Sequence, residues 1–248
     1  MKNYMNYIKS AFLLCLMVTF ASCDNDPSVS DVSRVTFFPT FAYDGPATTL
    51  IPCNSDYEIP PVTASENGVD LDVTTRVVGM SGTVPAVDIT KADIYSETSS
   101  AVNADGFTGQ TVRTFWVACT GDLVTSIEGL YSSTCVRNGS VSPQYTDMKY
   151  QLIRKVGDNQ YELSDAIGGY YDLGRQYGEA YRAKGMIVTA NDIPSNDFSF
   201  SGTIGVGAFG GELNMLSFAA DPGAGQVTFS SDWSFGYVFE VTYTQVPL

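Results

Sequence analysis

The stretch that decides the fold is Ser100–Val117, which reads SAVNADGFTGQTVRTFWV. It places a run of turn-forming residues, Asn103–Gly109, between two segments that favour extended structure. The segment before the turn, Ile94–Val102, has alternating character, and Thr111–Val117 after it is rich in β-branched and aromatic side chains. A tight connection between two such segments predicts a pair of antiparallel strands.

Segments of the same character precede this pair at a spacing of roughly ten residues. Val69–Val73 alternates apolar and acidic residues, which predicts a strand with one buried face and one face in water. The other predicted strands here are Val35–Phe38, which ends at Pro39, and Thr75–Val78, with turn signals at Asp44–Pro46 and Glu66–Gly68. Helical periodicity is nearly absent, so we predict a β-sandwich for residues 33–120.

A second pattern begins after Cys119–Asp122, and we predict a second domain at residues 121–248. Its clearest element is a hairpin formed by Tyr150–Arg154 and Gln160–Leu163 around the turn Gly157–Asn159. The remaining predicted strands are Ile127–Tyr131, Gly185–Ala190, Asp197–Ile204, Leu213–Phe218, Gln226–Ser230 and Gly236–Gln245. This succession predicts an antiparallel meander that forms a sandwich or a small barrel. The fold class expected for the chain is therefore all-β.

The N-terminal segment has the organisation of a secretory signal peptide over residues 1–22. Lys2 and Lys9 precede the apolar run Ala11–Phe20, which is shorter than the roughly 20 residues that span a bilayer. The small pair Ala21–Ser22 directly before Cys23 resembles a bacterial lipobox, so we expect Cys23 to carry the lipid and residues 23–32 to form a polar tether. The alternative is an ordinary signal peptide followed by a chance cysteine.

The charge of the chain excludes one class of partner. It has 13 basic and 27 acidic residues and a net charge of −14, which becomes −16 once the two signal-peptide lysines are removed. Nucleic acids and anionic lipid headgroups are bound by basic surfaces, so neither is an expected partner of the folded part. Charged residues make up only 16% of the chain, which argues against a disordered acidic tail.

The residue inventory also argues against catalysis. The chain contains no histidine, which excludes Ser-His-Asp and Cys-His nucleophilic sites. A glycosidase needs only two carboxylates, but no carboxylate stands in a pattern that singles it out, so we predict a protein that is not an enzyme. Gly205–Gly210 matches a dinucleotide-binding motif by letter, yet no helix signal follows it. We interpret it as a loop between antiparallel strands and expect no cofactor.

Three cysteines remain in the folded part, Cys53, Cys119 and Cys135, since Cys15 leaves with the signal peptide. One disulfide with a free thiol and three buried thiols are both compatible with this odd number, and we expect no essential disulfide. The spacing of these cysteines matches no metal site. Asn191–Asp192 and Asn196–Asp197 offer oxygen ligands, but their spacing fits no defined calcium loop, so we interpret them as a polar turn and expect no metal.

An aromatic cluster is the strongest functional signal in the second domain. The candidate ligand-binding residues are Tyr170, Tyr171, Arg175, Tyr177, Tyr181 and Trp233, with Phe235 and Tyr237 following Trp233. Flat aromatic faces stack on the apolar faces of sugar rings, while Arg175 and Asp172 could bond hydroxyl groups. The alternative is that these rings are core and sheet-face residues, because Tyr and Trp are common strand formers.

Two sets of residues resemble a known family. The first set is Tyr57–Gly68, Ser100–Gly109 and Thr111–Val117, and the second is Gly168–Tyr171, Gly174–Arg175, Tyr177–Gly178, Tyr181 and the closing segment Trp233–Thr244. They resemble Bacteroides-type surface lipoproteins, in which a bacterial Ig-like domain of unknown function precedes a companion C-terminal β domain. Ser81–Pro85 departs from the plainer strand connection of that family.

This resemblance implies a place and a role for the protein. It implies a lipid anchor in the outer membrane, exposure at the cell surface, and a polysaccharide or oligosaccharide as the ligand of the C-terminal domain, with the Ig-like domain as a spacer. The alternative is a structural or assembly subunit that contacts an outer-membrane transporter or an adhesin. Acidic residues after Cys23, such as Asp24 and Asp26, also resemble the surface-export signals of such lipoproteins.

Overall fold

A computed structural model describes residues 35–248, which form 17 β-strands in three sheets. The predicted signal peptide, Cys23 and the tether lie outside the described residues. Helical structure in the described part is limited to single turns at Pro143–Tyr145, Tyr170–Gly174, Glu179–Tyr181 and Gly207–Phe209. Within residues 35–248, no helix is long and apolar enough to cross a membrane. The predicted all-β fold class is confirmed.

The first half of the described chain forms a five-stranded and a three-stranded sheet. The larger sheet has the order β2 (Thr48–Pro52), β8 (Thr108–Ala118), β7 (Asp93–Val102), β5 (Thr74–Gly79) and β6 (Gly82–Val84). The smaller sheet has the order β1 (Thr40–Ala42), β3 (Thr63–Glu66) and β4 (Val69–Leu71). Only the pair β2–β8 among these is parallel. Ile51, Tyr95, Phe115 and Val117 form the core on one face of the larger sheet.

The turn at the centre of the opening stretch is present and joins β7 to β8. The Asn103 N–H donates to the Phe107 carbonyl at 2.9 Å, and the Gly106 N–H donates to the Asn103 carbonyl at 3.0 Å. The Asn103 side chain accepts the Phe107 N–H at 2.7 Å. Gly106 has φ +85°, a left-handed conformation that glycine adopts without strain. The predicted strand pair is therefore confirmed.

The predicted strand Val35–Phe38 is wrong, because these residues are irregular and the first strand begins at Thr40. Pro39 stands between them and lacks the N–H that a strand ladder needs. The apolar composition of Val35–Phe38 fits a strand, but β-propensity counts only where a neighbouring strand can pair with the segment.

The second half of the described chain forms one antiparallel sheet of nine strands. Its order is β13 (Asp197–Phe200), β12 (Ile187–Asp192), β11 (Gln160–Leu163), β10 (Met148–Gly157), β9 (Gly129–Arg137), β17 (Tyr237–Gln245), β16 (Gln226–Trp233), β15 (Gly210–Asp221) and β14 (Ile204–Val206). The predicted hairpin is β10–β11, turning at Gly157. At the centre of the sheet β17 pairs with β9, which lies about a hundred residues earlier, and this pair joins β9–β13 to β14–β17.

The nine-stranded sheet curls into a half-barrel around an aromatic core. Phe198 near one edge packs on Phe218 of β15 with ring centroids 4.8 Å apart. The Ala220 N–H of β15 also donates to the Asn196 side chain at 2.7 Å, beside the same edge. Tyr131, Tyr161, Phe239 and Tyr243 are fully buried on the inner face. This arrangement agrees with the predicted curled meander.

The two halves of the described chain share a buried junction, and residues 39–248 form one compact unit. Trp116 and Ala118 of β8 pack against Leu130 and Leu152 of the nine-stranded sheet. Arg154 of β10 makes an ion pair with Asp93 of β7 at 3.4 Å and a second one with Glu162. Arg154 and Asp93 are each more than nine-tenths buried, so this ion pair links the two sheets within the junction and is not a solvent-exposed surface pair.

The cysteine expectation needs correction. Cys53, after β2, and Cys119, after β8, form a disulfide, and Cys135 is free and buried. The parallel pairing of β2 with β8 brings the two strand ends together, with Pro52 opposite Ala118, and sequence spacing alone could not show this. Burial raises the pKa of the Cys135 thiol far above its usual range, which suppresses its reactivity.

Two polar or glycine-rich segments form the connections that we expected. Gly207–Phe209 is a single helical turn between the antiparallel strands β14 and β15. Asn191 and Asp197 lie at the β12–β13 turn, where the Asn191 amide donates to the Asp197 carboxylate at 3.1 Å. No group of three or more metal-ligating side chains occurs within residues 35–248.

Candidate functional site

The loop between β11 and β12 carries five of the six predicted ligand-binding residues, and the buried carboxylate of Asp165 organises it. Its Oδ1 accepts the N–H groups of Ile167 and Ala183, each at 3.0 Å, and its Oδ2 accepts that of Gly169 at 3.1 Å. Burial raises the pKa of Asp165 to about 6, although these N–H groups act in the opposite direction. Three backbone bonds to one carboxylate hold both ends of the loop together.

Two glycines let this loop approach the sheet closely. Gly168 and Gly169 have φ +65° and +79°. A Cβ at Gly168 would lie 2.6 Å from a Val241 methyl, and one at Gly169 would lie 2.6 Å from the Gln151 amide. Any larger residue at either position would be strained by the positive φ, and at Gly168 it would also displace the side chain of Val241 in the sheet. The following turn, Tyr170–Gly174, therefore packs on the core of the nine-stranded sheet, where the Tyr170 ring lies 5.5 Å from that of Phe239.

Three of the predicted residues form a buried aromatic floor. Tyr170, Tyr171 and Trp233 have exposed fractions of 3%, 7% and 2%. Tyr170 stacks on Tyr145 at 4.1 Å, and Tyr171 lies edge-on to Trp233 at 6.0 Å. The Trp233 Nε1–H donates to the Gly210 carbonyl at 3.0 Å, so its one polar atom is satisfied internally.

A rim of more exposed rings surrounds this floor. Tyr177, Phe209 and Phe235 are 49%, 39% and 57% exposed. Tyr181, partly exposed, lies 5.3 Å from Tyr177 and 4.8 Å from Phe209. Phe209 lies 5.9 Å from Trp233, which in turn lies 4.6 Å from Phe235. We call the floor and the rim together, with the partly exposed Tyr237, the aromatic patch.

Two arginines border the aromatic patch. Arg137 lies between the rings of Tyr170, at 4.8 Å, and Tyr237, at 4.4 Å, and its Nη1 donates to the Tyr171 hydroxyl at 3.3 Å. The predicted residue Arg175 is exposed, with its guanidinium 5.8 Å from the Tyr170 ring. A guanidinium over an aromatic face is attracted by the ring quadrupole, so these cations help to fix the orientation of the floor.

The structure thus brings all six predicted residues to one place but separates them by exposure. Tyr177, Tyr181 and Arg175 reach solvent, whereas Tyr170, Tyr171 and Trp233 support them from below. Sequence reasoning missed Phe209, which lies in the glycine-rich connection Gly205–Gly210, and Arg137, which lies in β9. A signal for Phe209 existed, since an aromatic residue in a glycine-rich loop between strands has little to cover it.

Comparison with known proteins places the chain in a family. A family model described as a "-like, C-terminal domain" matches residues 120–245. The chain belongs to this C-terminal domain family. The matched residues contain the nine-stranded sheet and every member of the aromatic patch.

A solved structure extends the similarity in fold beyond this domain. The lipoprotein BT2262 from Bacteroides thetaiotaomicron matches with a TM-score of 0.60 and 23% identity, over 84% of this chain and 100% of that chain. No curated protein matches the chain. The resemblance to Bacteroides-type lipoproteins with a companion C-terminal domain is confirmed.

Proposed function

We propose that this protein is a lipid-anchored lipoprotein of the outer membrane surface that binds an extracellular glycan through the aromatic patch. The observation that carries the proposal is the exposed rim of Tyr177, Phe209 and Phe235 on a rigid floor. Exposed aromatic faces are costly in water unless a ligand covers them, and a sugar ring offers a matching apolar face. The exposed Arg175 guanidinium, 5.8 Å from the Tyr170 ring, supplies hydrogen-bond donors for hydroxyl groups.

The two kinds of ring have different roles in this proposal. Tyr177, Phe209 and Phe235 contact the ligand, and Tyr181 completes their surface. Tyr170, Tyr171 and Trp233 hold the rim in place through ring contacts and have too little exposed surface to stack on a sugar themselves. The floor is therefore preorganised, which reduces the entropy lost on binding.

The protein binds its ligand without catalysis in this proposal. Asp165 is a carboxyl group with a raised pKa, the property of a general acid, but it is fully buried and bonded only to backbone N–H groups. It cannot reach a glycosidic bond on the patch. The absence of histidine from the sequence removes the commonest general base.

The proposal is tested by affinity gel electrophoresis of residues 24–248 in gels that contain soluble neutral polysaccharides, namely β-glucan, galactomannan, xylan and amylopectin. Both halves of the folded part are kept because residues 121–248 alone would expose Leu130 and Leu152 of the buried junction. We expect retardation in at least one gel, and Tyr177→Ala and Phe235→Ala each to weaken binding about tenfold, or ~1.4 kcal/mol.

Leu216→Ala is the matched control, because Leu216 is a 56% exposed side chain of the same sheet outside the patch. This variant should bind as the wild type does. Retardation that is unchanged in both patch variants would show that the glycan binds elsewhere. Migration of the wild type unaffected by every polysaccharide would contradict a neutral-glycan ligand.

A second candidate is an assembly subunit of an outer-membrane transporter or adhesin complex. The patch favours it too, because Tyr, Trp, Phe and Arg are the residues enriched at the centres of protein interfaces. This candidate predicts co-purification of the lipidated protein with a membrane complex, and loss of that complex in Phe235→Ala. Isolation of the lipidated protein without a membrane partner, together with glycan binding by the soluble protein, would exclude it.

A further inference from the structure

A cleft of about 430 Å³ lies between the five-stranded sheet and the β11–β12 loop, which carries the four tyrosines Tyr170 to Tyr181 of the aromatic patch. Its floor is the face of the sheet opposite the Ile51 and Phe115 core. Residues of β5, β7 and β8 that point to this face mix aliphatic and hydroxyl side chains with one indole, namely Val78, Ile94, Ser96, Val112, Thr114 and Trp116. Its opposite wall consists of Glu179, Arg182 and Lys184.

Arg182 is the side chain whose environment indicates that this cleft binds a ligand. It is nine-tenths buried, and its Nε donates to the Asp172 carboxylate at 2.6 Å. Its guanidinium lies 5.7 Å from the Trp116 ring centroid. Within residues 35–248, Nη1 and Nη2 make no hydrogen bond, and Nη1 lies 3.8 Å from a carboxylate oxygen of Glu179. Several donors are thus held in the cleft wall without an acceptor.

The charges of this wall compensate each other. Arg182 is paired with Asp172, and Lys184 lies 3.7 Å from the Glu179 carboxylate. The cleft therefore offers hydrogen-bond donors and hydroxyl groups but no net positive charge for an anionic ligand. An uncharged ligand rich in oxygen acceptors, with apolar patches that match Trp116 and Val112, fits this surface.

The cleft lies close to the aromatic patch, because neighbouring residues of one loop contribute to both. Tyr181, a ring of the patch, is the last residue of the helical turn Glu179–Tyr181, and Arg182, in the cleft wall, follows it directly. That turn packs tightly on the Phe209 connection, since a Cβ at Gly207 would lie 2.3 Å from the Ala180 carbonyl oxygen. Only one turn of the loop therefore separates the rim of the patch from the cleft.

We propose that the cleft is a second binding subsite, which takes further neutral sugar units of a glycan chain whose first units lie on the aromatic patch. This inference rests on the proposed function of the patch. Arg182 donates its free N–H groups to sugar oxygens, Ser96 and Thr114 bond hydroxyl groups, and Trp116 supplies an apolar contact. The protein then binds a long chain across both of its halves, so the Ig-like part contributes to recognition as well as to spacing.

The test compares ligands of different length on residues 24–248. Disaccharides and octasaccharides of β-glucan, mannan and xylan are titrated by calorimetry against the wild type, Val112→Trp and Tyr177→Ala. Val112 is 50% exposed and lines the cleft, so an indole there fills the space without removing a core contact. Gln110→Trp is the matched control, because Gln110 is exposed on the same strand two residues away, outside the cleft.

We expect Val112→Trp to weaken octasaccharide binding about tenfold, as the loss of one or two hydrogen bonds would, and to leave disaccharide binding unchanged. Tyr177→Ala should weaken the binding of both the disaccharide and the octasaccharide, and Gln110→Trp should weaken neither. Arg182→Lys keeps the charge opposite Asp172 but loses the fork of donors, so it should also weaken octasaccharide binding and leave disaccharide binding unchanged. This variant replaces Val112→Trp if Val112→Trp misfolds.

Two results would overturn the inference, and they differ from each other. Equal octasaccharide affinity in the wild type, Val112→Trp and Arg182→Lys, with a loss in Tyr177→Ala, would remove the subsite and leave the proposed function intact. No binding of any sugar to the wild type would contradict both.

Discussion

Replacing Trp233 by alanine separates the supporting floor of the patch from its exposed rim. Trp233 is 2% exposed and has four aromatic neighbours, Tyr171, Phe209, Phe235 and Tyr237, with centroids 4.6 to 6.0 Å away. Truncation of a buried tryptophan costs about 3–5 kcal/mol, which includes the lost ring contacts and the cavity left behind. For a unit of this size, each 1 kcal/mol lowers the Tm by about 2–4 °C, so we expect a decrease of about 6–20 °C.

Phe235→Ala is the matched comparison, because Phe235 contacts Trp233 but is 57% exposed. Its removal should cost less than about 1 kcal/mol, since most of its surface is already in water. Urea unfolding followed by tryptophan fluorescence for Phe235→Ala, and by far-UV circular dichroism for both variants, gives the two free energies of unfolding. Equal destabilisation by the two substitutions would refute the division into floor and rim. A Trp233→Ala variant as stable as the wild type would also refute this division, because it would show that Trp233 does not support the rim.

The remaining predictions concern the framework around the site. Replacing Cys53 and Cys119 by alanine should lower the free energy of unfolding by about 4 kcal/mol, the value for a loop of 66 residues; a loss below 1 kcal/mol in urea titrations would be inconsistent with a native crosslink. Asp93→Asn should lower the free energy of unfolding by about 3 kcal/mol, because Arg154 keeps its buried charge but loses one of its two carboxylate partners. The double variant with Asp93→Asn and Arg154→Met should recover part of that loss in the same urea titrations. The pKa of Asp165 is about 6 in the folded protein against 3.8 for a free side chain, so the folded state binds the extra proton between these values. The free energy of unfolding of the wild type, compared with that of Asp165→Asn, should therefore rise by up to about 3 kcal/mol as the pH falls from about 6 to 4. Urea midpoints that show the same pH dependence in both proteins would contradict this prediction.

Local signals in the sequence predicted the strand pairs that are joined by short turns. Asn103–Gly106 and Gly157–Asn159 form the connections expected of them, because a turn is set by residues that are neighbours in the chain. Val35–Phe38 shows the opposite case. Its composition favours a strand, but the ladder begins only at Thr40, where β3 supplies a partner.

Long-range pairing decided the features that sequence reasoning missed. The disulfide depends on the parallel register of β2 and β8, which places strand ends 66 residues apart side by side. Arg137 reaches the patch because β9 pairs with β17, about a hundred residues later. Neither strand pairing is encoded in a periodic pattern of the sequence, so neither could be derived from composition or spacing.

The sequence by itself determined the all-β class, the division of pattern near Cys119–Asp122 and the residue types that form the candidate site. Alternation and turn chemistry are local properties, so they can be read without the fold. Only the tertiary structure decided which rings are exposed and that a cleft adjoins them. Burial depends on which other elements cover a side chain. Here Tyr171 and Phe209, on two separate connections, pack on Trp233, whereas Phe235, two residues later, stays 57% exposed.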